Sequence, residues 1–411
     1  MEDESGANWQ DLIKILRWIL LGTLCGALSG GVGTLFYWCI YYVTGFRMSH
    51  TWLVYLLPAA GLLIAWMYNP YKDKEVHGTD LVIDAIHTDH GVPWIMAPLI
   101  FASTVLTHLF GGSAGREGAA LQLGGSLGYR LASWLHLPEK DGHILVLCGM
   151  AGCFSALFGT PVTAVVFVLE VISVGVMHYS ALVPCSMSAL TGFAIAQWSH
   201  AAPTAFVIDA VPAYGIGSIA AVLVLSLLCG LLSILFCTAN RKTGRLLNRW
   251  FPNPYLRIAA GGVIVIILYW CFGSSYLGAG GDIIAQAIAG KAVWYAFLVK
   301  LLFTAVTLGA GYKGGEIVPA FFVGATFGCV AAPLLGLPAS MGAAIGFICV
   351  FCGITNCPIT SFLLSIEVFG ISGSLYFLGA VAIAYAASGY ASIYSRQKIL
   401  YSKTSPVFRG K

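Results

Sequence analysis

The chain has 411 residues, of which only 9% are charged and 58% are hydrophobic. A soluble domain carries about 25% charged residues, so this composition excludes an ordinary soluble protein. The net charge of +4 gives no reason to expect nucleic acid as a partner. Charge-free stretches occupy residues 18–46, 91–115, 143–169, 171–208, 210–240, 258–281, 317–366 and 368–395.

These stretches predict an all-α polytopic membrane protein. A span needs about 20 apolar residues, and several stretches are long enough for one or two spans. We therefore expect roughly ten to eighteen membrane segments, some of them short. Because no linker or low-complexity stretch interrupts the pattern, residues 1–411 are predicted to form a single transmembrane domain without a C-terminal soluble regulatory domain.

The two ends of the chain predict its orientation in the cell membrane. The acidic N-terminus, MEDESGANWQ, lacks the positive region of a signal peptide, so the first apolar run is expected to remain in the mature protein. Basic residues cluster at 240–249 and 395–411. The positive-inside rule puts both clusters, and with them both termini, on the cytoplasmic side.

Histidine and cysteine residues give little support for a metal site. His87 and His90 could form half of one, but a structural zinc site needs four ligands and no companion set is visible. The twelve cysteines lie in apolar runs, including the CVFC sequence at 349–352. Since free cysteine packs as a small hydrophobic residue, we predict buried thiols, and we expect no metal and no cofactor.

Two parts of the chain repeat at an offset of about two hundred residues. PVTAVVFVLEV at 161–171 matches PITSFLLSIEV at 358–368, each with a Glu nine residues after its Pro. Upstream of each lies a glycine-rich stretch, GREGAALQLGGSLG at 115–128 and GGEIVPAFFVGATFG at 314–328. Repeats of this kind are typical of transporters, whose binding site lies near the midplane where the halves meet.

The glycine-rich starts at 111–118 and 311–319 are predicted to interrupt helices inside the membrane. Irregular backbone at that depth is tolerated only where it is buried or lines a cavity. Helices that begin there would direct unpaired N–H groups and their positive dipole ends inward, which suits an anion. The alternative is that the glycines only permit close helix packing.

Glutamates stand at both predicted breaks. A charge at the centre of a span costs roughly 2.5–3.5 kcal/mol, so Glu117 needs a partner or a function. When ionised it could occupy the place of the anion, and when protonated it would leave, so one group would gate the anion and carry a proton. The alternative is a water-facing pair with Arg116. Glu316 lies at the second break, where the alternative is a solvated residue paired to Lys313.

Glu170 and Glu367 are equivalent residues in the repeated 161–171 and 358–368 segments. We interpret them mainly as structural, because an acid at the end of a membrane segment can cap a neighbouring helix, lie at the interface or pair with a loop base.

Several motifs resemble those of the CLC family of anion channels and proton-coupled exchangers. GREGA at 115–119 resembles the family's G-R/K-E-G-P motif, and GGEIVP at 314–319 resembles its G-x-F-x-P motif. SIY at 392–394 is similar to the segment that supplies an anion-contacting tyrosine, and HGTD at 77–80 lies where a G-S-G-I-P motif is expected. The resemblance spans roughly residues 15–400.

The resemblance implies a fold and a set of roles. Glu117 would be the gating glutamate and Tyr394 the anion-contacting tyrosine. The fold would be of the CLC type, with two inverted-topology repeats at about 15–212 and 213–400, whose broken helices meet at the midplane. The resemblance also implies a homodimer with one pore in each subunit.

Departures from the family motifs point to one branch. They are Thr79 for the serine, Asp80 and Leu81 for Ile-Pro, Ala119 for Pro, Val171 for an internal proton-transfer glutamate, and Ile317 for an aromatic residue. In addition, Glu316 fills the variable position of the second motif. Together these features are similar to the bacterial fluoride/proton antiporter branch, which lacks the serine and the internal glutamate.

The resemblance therefore implies a secondary active transporter that exchanges fluoride for protons and exports cytoplasmic fluoride, with Glu117 and Glu316 coupling the proton. The implied anion contacts, from main chain or side chain, are Thr79, Gly115, Arg116, Gly118, Ile317, Val318 and Tyr394. The alternative is a chloride/proton antiporter or chloride channel of the same fold, because the Thr79 hydroxyl can coordinate chloride. A non-transporting scaffold and an enzyme find no support, since no ligand domain and no nucleophile–base set is visible.

Overall fold

The structure is a computed structural model that describes residues 9–71, 78–88 and 91–409. Over these residues it contains sixteen α-helices and one pair of two-residue strands. The helices are α1 (Trp9–Ser49), α2 (Leu57–Tyr68), α3 (Thr79–His87), α4 (Met96–Leu109), α5 (Glu117–Trp134), α6 (Glu139–Phe158), α7 (Pro161–Glu170), α8 (Leu182–Trp198), α9 (Ile216–Trp250), α10 (Pro254–Phe272), α11 (Gly281–Ile288), α12 (Ala296–Ala310), α13 (Ile317–Ala331), α14 (Ala339–Thr355), α15 (Pro358–Phe369) and α16 (Ser374–Ala387). The parallel strands are β1 (Ser173–Val174) and β2 (Lys398–Ile399).

The helices confirm the prediction of an all-α polytopic membrane protein. Six segments among the described residues are long and apolar enough to cross a bilayer, and seven further apolar helices have 10–17 residues. The six are Trp9–Ser49, Thr51–Tyr71, Glu139–Phe158, Tyr179–Trp198, Ile216–Trp250 and Pro254–Phe272. Short helices at membrane depth fit a fold in which several segments stop part-way through the bilayer.

The order of helices in the first half recurs in the second. The long helix α1 has its counterpart in α9, and the short helix α3 has its counterpart in α11, which has 8 residues against 9. Helices α4 to α8 correspond in the same order to α12 to α16. The predicted repeat boundary at residues 212 and 213 falls in the segment that joins α8 to α9.

Glycines of the repeated stretches bring helices into close contact. A Cβ atom on Gly124 of α5 would overlap the carbonyl oxygen of Gly149 on α6, and one on Gly324 of α13 would overlap that of Gly346 on α14. Only glycine allows two helix backbones to approach this closely. Close packing, which we considered as an alternative role for the glycines, therefore operates alongside the helix breaks.

The two repeated glutamates cap each other's helices, which confirms their predicted structural role. Glu170, the last residue of α7, accepts the main-chain N–H of Thr360 at 2.8 Å in the first turn of α15. Glu367 of α15 accepts the N–H of Thr163 at 2.8 Å in the first turn of α7. Because the first N–H groups of a helix have no partner within it, each carboxylate satisfies the other repeat's helix end.

The prediction of buried thiols is confirmed for ten of the twelve cysteines, whereas Cys39 is half-buried and Cys271 is exposed; all twelve are free thiols. The imidazole of His87 lies 3.1 Å from the carbonyl oxygen of Ile172. His90 lies outside the described residues, so the candidate pair it would form with His87 is not described.

Candidate anion site

The two predicted helix breaks meet inside the protein. Gly115 and Gly315 form an isolated antiparallel bridge in which each N–H donates to the other's carbonyl oxygen at 2.7 Å. Helix α5 begins two residues after Gly115, and α13 begins two residues after Gly315. The helix starts of the two repeats therefore lie side by side, as the glycine-rich sequences predict.

Close approach at this point depends on Gly315. A Cβ atom there would lie 2.6 Å from the main-chain nitrogen of Gly118, and one on Gly118 would lie 3.1 Å from the Cα atom of Gly315. Real Cβ atoms do not approach a backbone nitrogen at 2.6 Å, so a larger residue at 315 would push the two helix starts apart.

Free main-chain donors converge where the helices begin. The first helical hydrogen bonds run from Ala120 to the carbonyl of Arg116, at 2.9 Å, and from Ala320 to the carbonyl of Glu316, at 3.0 Å. The N–H groups of Gly118, Ile317 and Val318 precede these bonds, so they have no partner within their helices. Three such donors next to two positive dipole ends form a site suited to an anion.

The gating candidate Glu117 lies at this point, and only 1% of it is exposed. Its Oε2 atom accepts the main-chain N–H of Arg116 at 3.0 Å and would lie 2.9 Å from a Cβ atom on Gly115. The carboxylate therefore folds back over the start of its own helix. This burial excludes the alternative of a pair that faces water.

Arg116 contacts Glu117 only loosely. Its Nε atom is 3.6 Å from Oε1 of Glu117, and its guanidinium lies 4.7 Å from the ring centroid of Tyr37. The guanidinium is thus shared between a carboxylate and an aromatic face, both of which attract a cation. Glu117 keeps a positive charge nearby without being locked in a bidentate pair.

Glu316 immediately precedes α13 and is half-buried. It interacts electrostatically with Asp80 and Arg241. Lys313, the base that a solvated loop would have paired with it, directs its ammonium at the ring of Tyr68, 4.5 Å from the centroid. Glu316 is therefore not paired with Lys313, three residues before it, and its charged neighbours are Asp80 and Arg241.

Tyr394 supplies an unused donor beside the two glutamates. The residue is 5% exposed, and its buried hydroxyl has no hydrogen-bond partner among the described residues. It lies within electrostatic range of Glu117, Glu316 and Asp80. Since buried hydroxyls nearly always have a partner, this phenol is consistent with a ligand at the site.

The Thr79 hydroxyl, by contrast, is occupied. It donates to the carbonyl oxygen of Gly118 at 3.0 Å, which ties the start of α3 to the start of α5. A hydroxyl has a single proton to donate, so in this arrangement Thr79 positions Gly118 and does not face the site as a donor.

Sequence reasoning noted Asp80 only as a departure from a motif, and it missed the function of this residue in the site. One carboxylate oxygen accepts the main-chain N–H of Ser395 at 3.1 Å and its hydroxyl at 2.5 Å, and the other accepts the N–H of Arg396 at 3.2 Å. These bonds anchor the segment that carries Tyr394. An acid in the first turn of a helix is a visible signal, but its partners lie more than three hundred residues away along the chain.

Val171 occupies the position where the family resemblance implies an internal proton-transfer glutamate, and the hydrogen-bonding groups around it are neutral. Val171 is fully buried, and its carbonyl accepts the side-chain N–H of Gln397 at 2.8 Å. The same amide nitrogen donates to the carbonyl of Thr355 at 2.8 Å, and the Gln397 oxygen accepts from Asn356 at 2.9 Å. None of these groups titrates near neutral pH, so a proton cannot be carried by them.

Interrupted helices that direct free N–H groups at one point inside a membrane are typical of ion transporters. Comparison with known proteins agrees. A family model described as Voltage gated chloride channel matches residues 60–389, so the chain belongs to this family of ion channels and transporters.

Two relatives illustrate the range of the family. A chloride/fluoride channel protein of Pseudomonas syringae pv. tomato is 36% identical over 397 residues, which cover 95% of this chain and 88% of that protein. An H+/Cl− exchange transporter of Vibrio vulnificus is 24% identical over 387 residues, which cover 85% of this chain and 81% of that one.

Solved structures share the fold. A CLC-type fluoride/proton antiporter matches with a TM-score of 0.90 and 33% identity, over 96% of this chain and 100% of that one. A slow cyanobacterial Cl−/H+ antiporter matches with a TM-score of 0.78 and 17% identity, over 90% of this chain and 94% of that one. The second likeness concerns the fold alone.

Proposed function

We propose that this protein exchanges fluoride for protons across the cell membrane and exports cytoplasmic fluoride by using the inward proton gradient. The similarity to a chloride/fluoride channel protein and to a fluoride/proton antiporter supports this proposal. Both chain termini would lie in the cytoplasm, where the positive-inside rule puts the basic clusters. The working unit would be a homodimer with one pathway in each subunit.

The observation that carries the proposal is the burial of Glu117 against two converging helix starts. An ionised carboxylate there competes with fluoride for the same N–H donors, because both are anions that accept hydrogen bonds. Protonation removes the charge and weakens these bonds, so the side chain leaves and the anion enters. One residue thereby makes anion movement depend on proton uptake.

Protons need a second acid to reach the opposite solution. With Val171 buried in a neutral network, Glu316 is the acid at the other helix start, within electrostatic range of Tyr394. We assign it the coupling role. Alternation of the proton between Glu117 and Glu316 would accompany passage of the anion between them.

The donor set favours fluoride. Fluoride is small and strongly hydrated, so a site must replace its water shell with firm hydrogen-bond donors. The proposed donors are the N–H groups of Gly118, Ile317 and Val318 together with the Tyr394 hydroxyl. Gly115 and Arg116 would act through the loop that holds Glu117, and Thr79 would act by positioning Gly118.

Reconstitution in liposomes with simultaneous fluoride and pH electrodes tests the proposal. We expect fluoride efflux to be accompanied by proton uptake and to exceed chloride efflux. Fluoride movement without proton movement would contradict the exchange mechanism.

The second candidate is a chloride/proton antiporter or chloride channel. The Thr79 hydroxyl favours it, because rotation away from Gly118 would free a donor for chloride. Chloride flux as fast as fluoride flux in the same liposomes would select this candidate. A Thr79→Val variant gives the matched control, since it removes the hydroxyl and keeps the shape of the side chain. Under the fluoride proposal it slows transport, because Gly118 loses its hydrogen bond to Thr79, but it keeps the preference for fluoride over chloride.

A further inference from the structure

A large cavity lies on the side of Glu117 that faces the C-terminal end of α1. Its volume is about 1120 Å³, and its lining includes Arg47, His108, Arg116 and Glu117. With the N-terminus in the cytoplasm, as the proposed function has it, α1 ends toward the outside, so this cavity connects Glu117 to the outer solution.

Arg47 has a buried charge without a partner. The residue is 8% exposed, and its Nη1 atom has no hydrogen-bond partner among the described residues. No carboxylate of the described chain lies within salt-bridge distance of it. Because an unpaired buried charge is strongly unfavourable, an anion beside Nη1 would stabilise the guanidinium.

A second uncompensated cation lies close by. Lys300 is fully buried, and its ammonium donates to the carbonyl oxygens of Gly278 at 2.6 Å and Tyr276 at 3.1 Å and to the hydroxyl of Ser113 at 3.0 Å. These neutral acceptors use all three protons but leave the charge in place. A Cβ atom on Gly278 would lie 3.1 Å from Nη1 of Arg47, so two cations flank a single glycine.

His108 also lines this cavity, and one of its ring nitrogens is buried without a hydrogen-bond partner among the described residues. The residue is 1% exposed, and its Nδ1 atom donates to the carbonyl oxygen of Thr104 at 2.9 Å. The neutral ring therefore carries a lone pair on Nε2, which has no partner among the described residues. The charged and titratable side chains that face the ring or line the cavity are Arg47 of α1, His50 just after α1, Arg116 and Glu117 at the start of α5, Asp282 at the exposed rim, and Lys300 of α12.

We propose that Arg47 Nη1 and His108 Nε2 form an outer anion-binding site, separate in its side chains from the helix starts at Glu117. The ligand is a halide ion, and its identification as fluoride rests on the proposed function. Arg47 donates directly, and Lys300 supplies positive potential from behind Gly278. A lone pair on Nε2 repels an anion, so binding draws a proton onto His108 and turns Nε2 into a second donor.

Calorimetric titration of the purified full-length protein with sodium fluoride and sodium chloride tests this site. The background is Glu117→Gln, which removes the titration of residue 117; comparison with His108→Gln in the same background separates the outer site from Glu316. We expect two bound anions per chain. Adding Arg47→Gln should remove one of them, whereas adding Arg47→Lys should retain both. Binding at the outer site should tighten severalfold between pH 7.5 and pH 5.5, and His108→Gln should keep the site but abolish this pH effect.

An unchanged anion count in the Arg47→Gln protein overturns the proposal, as does an unchanged pH effect in the His108→Gln protein. If neither Arg47 variant folds, as judged by gel filtration, the His108→Gln comparison decides alone. Equal affinity for chloride and fluoride would refute fluoride selectivity and hence the proposed function. Loss of one Arg47-dependent anion would still support the outer site.

Discussion

Replacement of Glu170 by Gln tests the cross-capping of the two repeats. The Glu170 carboxylate accepts three hydrogen bonds, from the N–H groups of Ile359 and Thr360 at 3.1 and 2.8 Å and from the Thr360 hydroxyl at 2.5 Å. Glutamine keeps the shape of the side chain but replaces one acceptor oxygen with an NH2 donor. At least one N–H in the first turn of α15 then faces another donor.

The cost follows from these contacts. Leaving a buried donor unsatisfied costs about 1–3 kcal/mol, and each hydrogen bond to a charged group contributes about 1.5–3 kcal/mol. We expect Glu170→Gln to destabilise the protein by about 2–4 kcal/mol. Glu367→Gln is the matched control, because its carboxylate makes two such bonds at a more exposed helix start, where water replaces a lost acceptor. We expect a cost of about 1 kcal/mol there.

The measurement is the thermal unfolding midpoint of the two purified variants in one detergent. Glu170→Gln should lower the midpoint clearly more than Glu367→Gln does. Equal midpoints for the two variants, or a Glu170→Gln midpoint equal to that of the wild type, would refute the assignment of Glu170 as a buried cap.

Three further changes probe the site and its support. Tyr394→Phe should leave the unfolding midpoint unchanged, since the hydroxyl has no hydrogen-bond partner among the described residues. It should raise the half-saturating fluoride concentration about tenfold, as expected for one lost bond to an anion, and an unchanged fluoride dependence would contradict this. Gly324→Ala should lower the free energy of unfolding by about 1–3 kcal/mol through overpacking, as measured by thermal unfolding. Gly31→Ala is the control, because a Cβ atom there meets nothing within 4 Å, and equal effects of the two changes would refute close packing. Asp80→Asn should speed hydrogen exchange at the Ser395 amide, and unchanged exchange would exclude the anchor.

Sequence patterns were sufficient for the features that are encoded locally. Glycine-rich stretches beside an isolated acid predict both breaks, and the structure has α5 beginning at Glu117 and α13 at Ile317. The repeat predicted that Glu170 and Glu367 have equivalent structural roles. The pattern could not predict that each caps the other's helix, because that depends on how the two halves pack.

Contacts between distant segments were beyond the sequence. Thr79 donates to Gly118 and Asp80 anchors Ser395 only because α3 lies between the start of α5 and the C-terminal segment. Arg47 and Lys300 went unnoticed, although each is an isolated charge beside an apolar run, which is a usable signal of function. Their proximity across Gly278 becomes visible only in three dimensions.

Paired fluoride and pH recordings on Glu117→Gln in liposomes test most directly whether one buried carboxylate couples the two ions. Glu367→Gln serves as the control, since it also replaces a glutamate by an amide but lies at a helix cap. We predict that the control retains proton movement with fluoride and that Glu117→Gln moves no protons at any fluoride gradient. Proton movement at the wild-type rate in Glu117→Gln would contradict the mechanism.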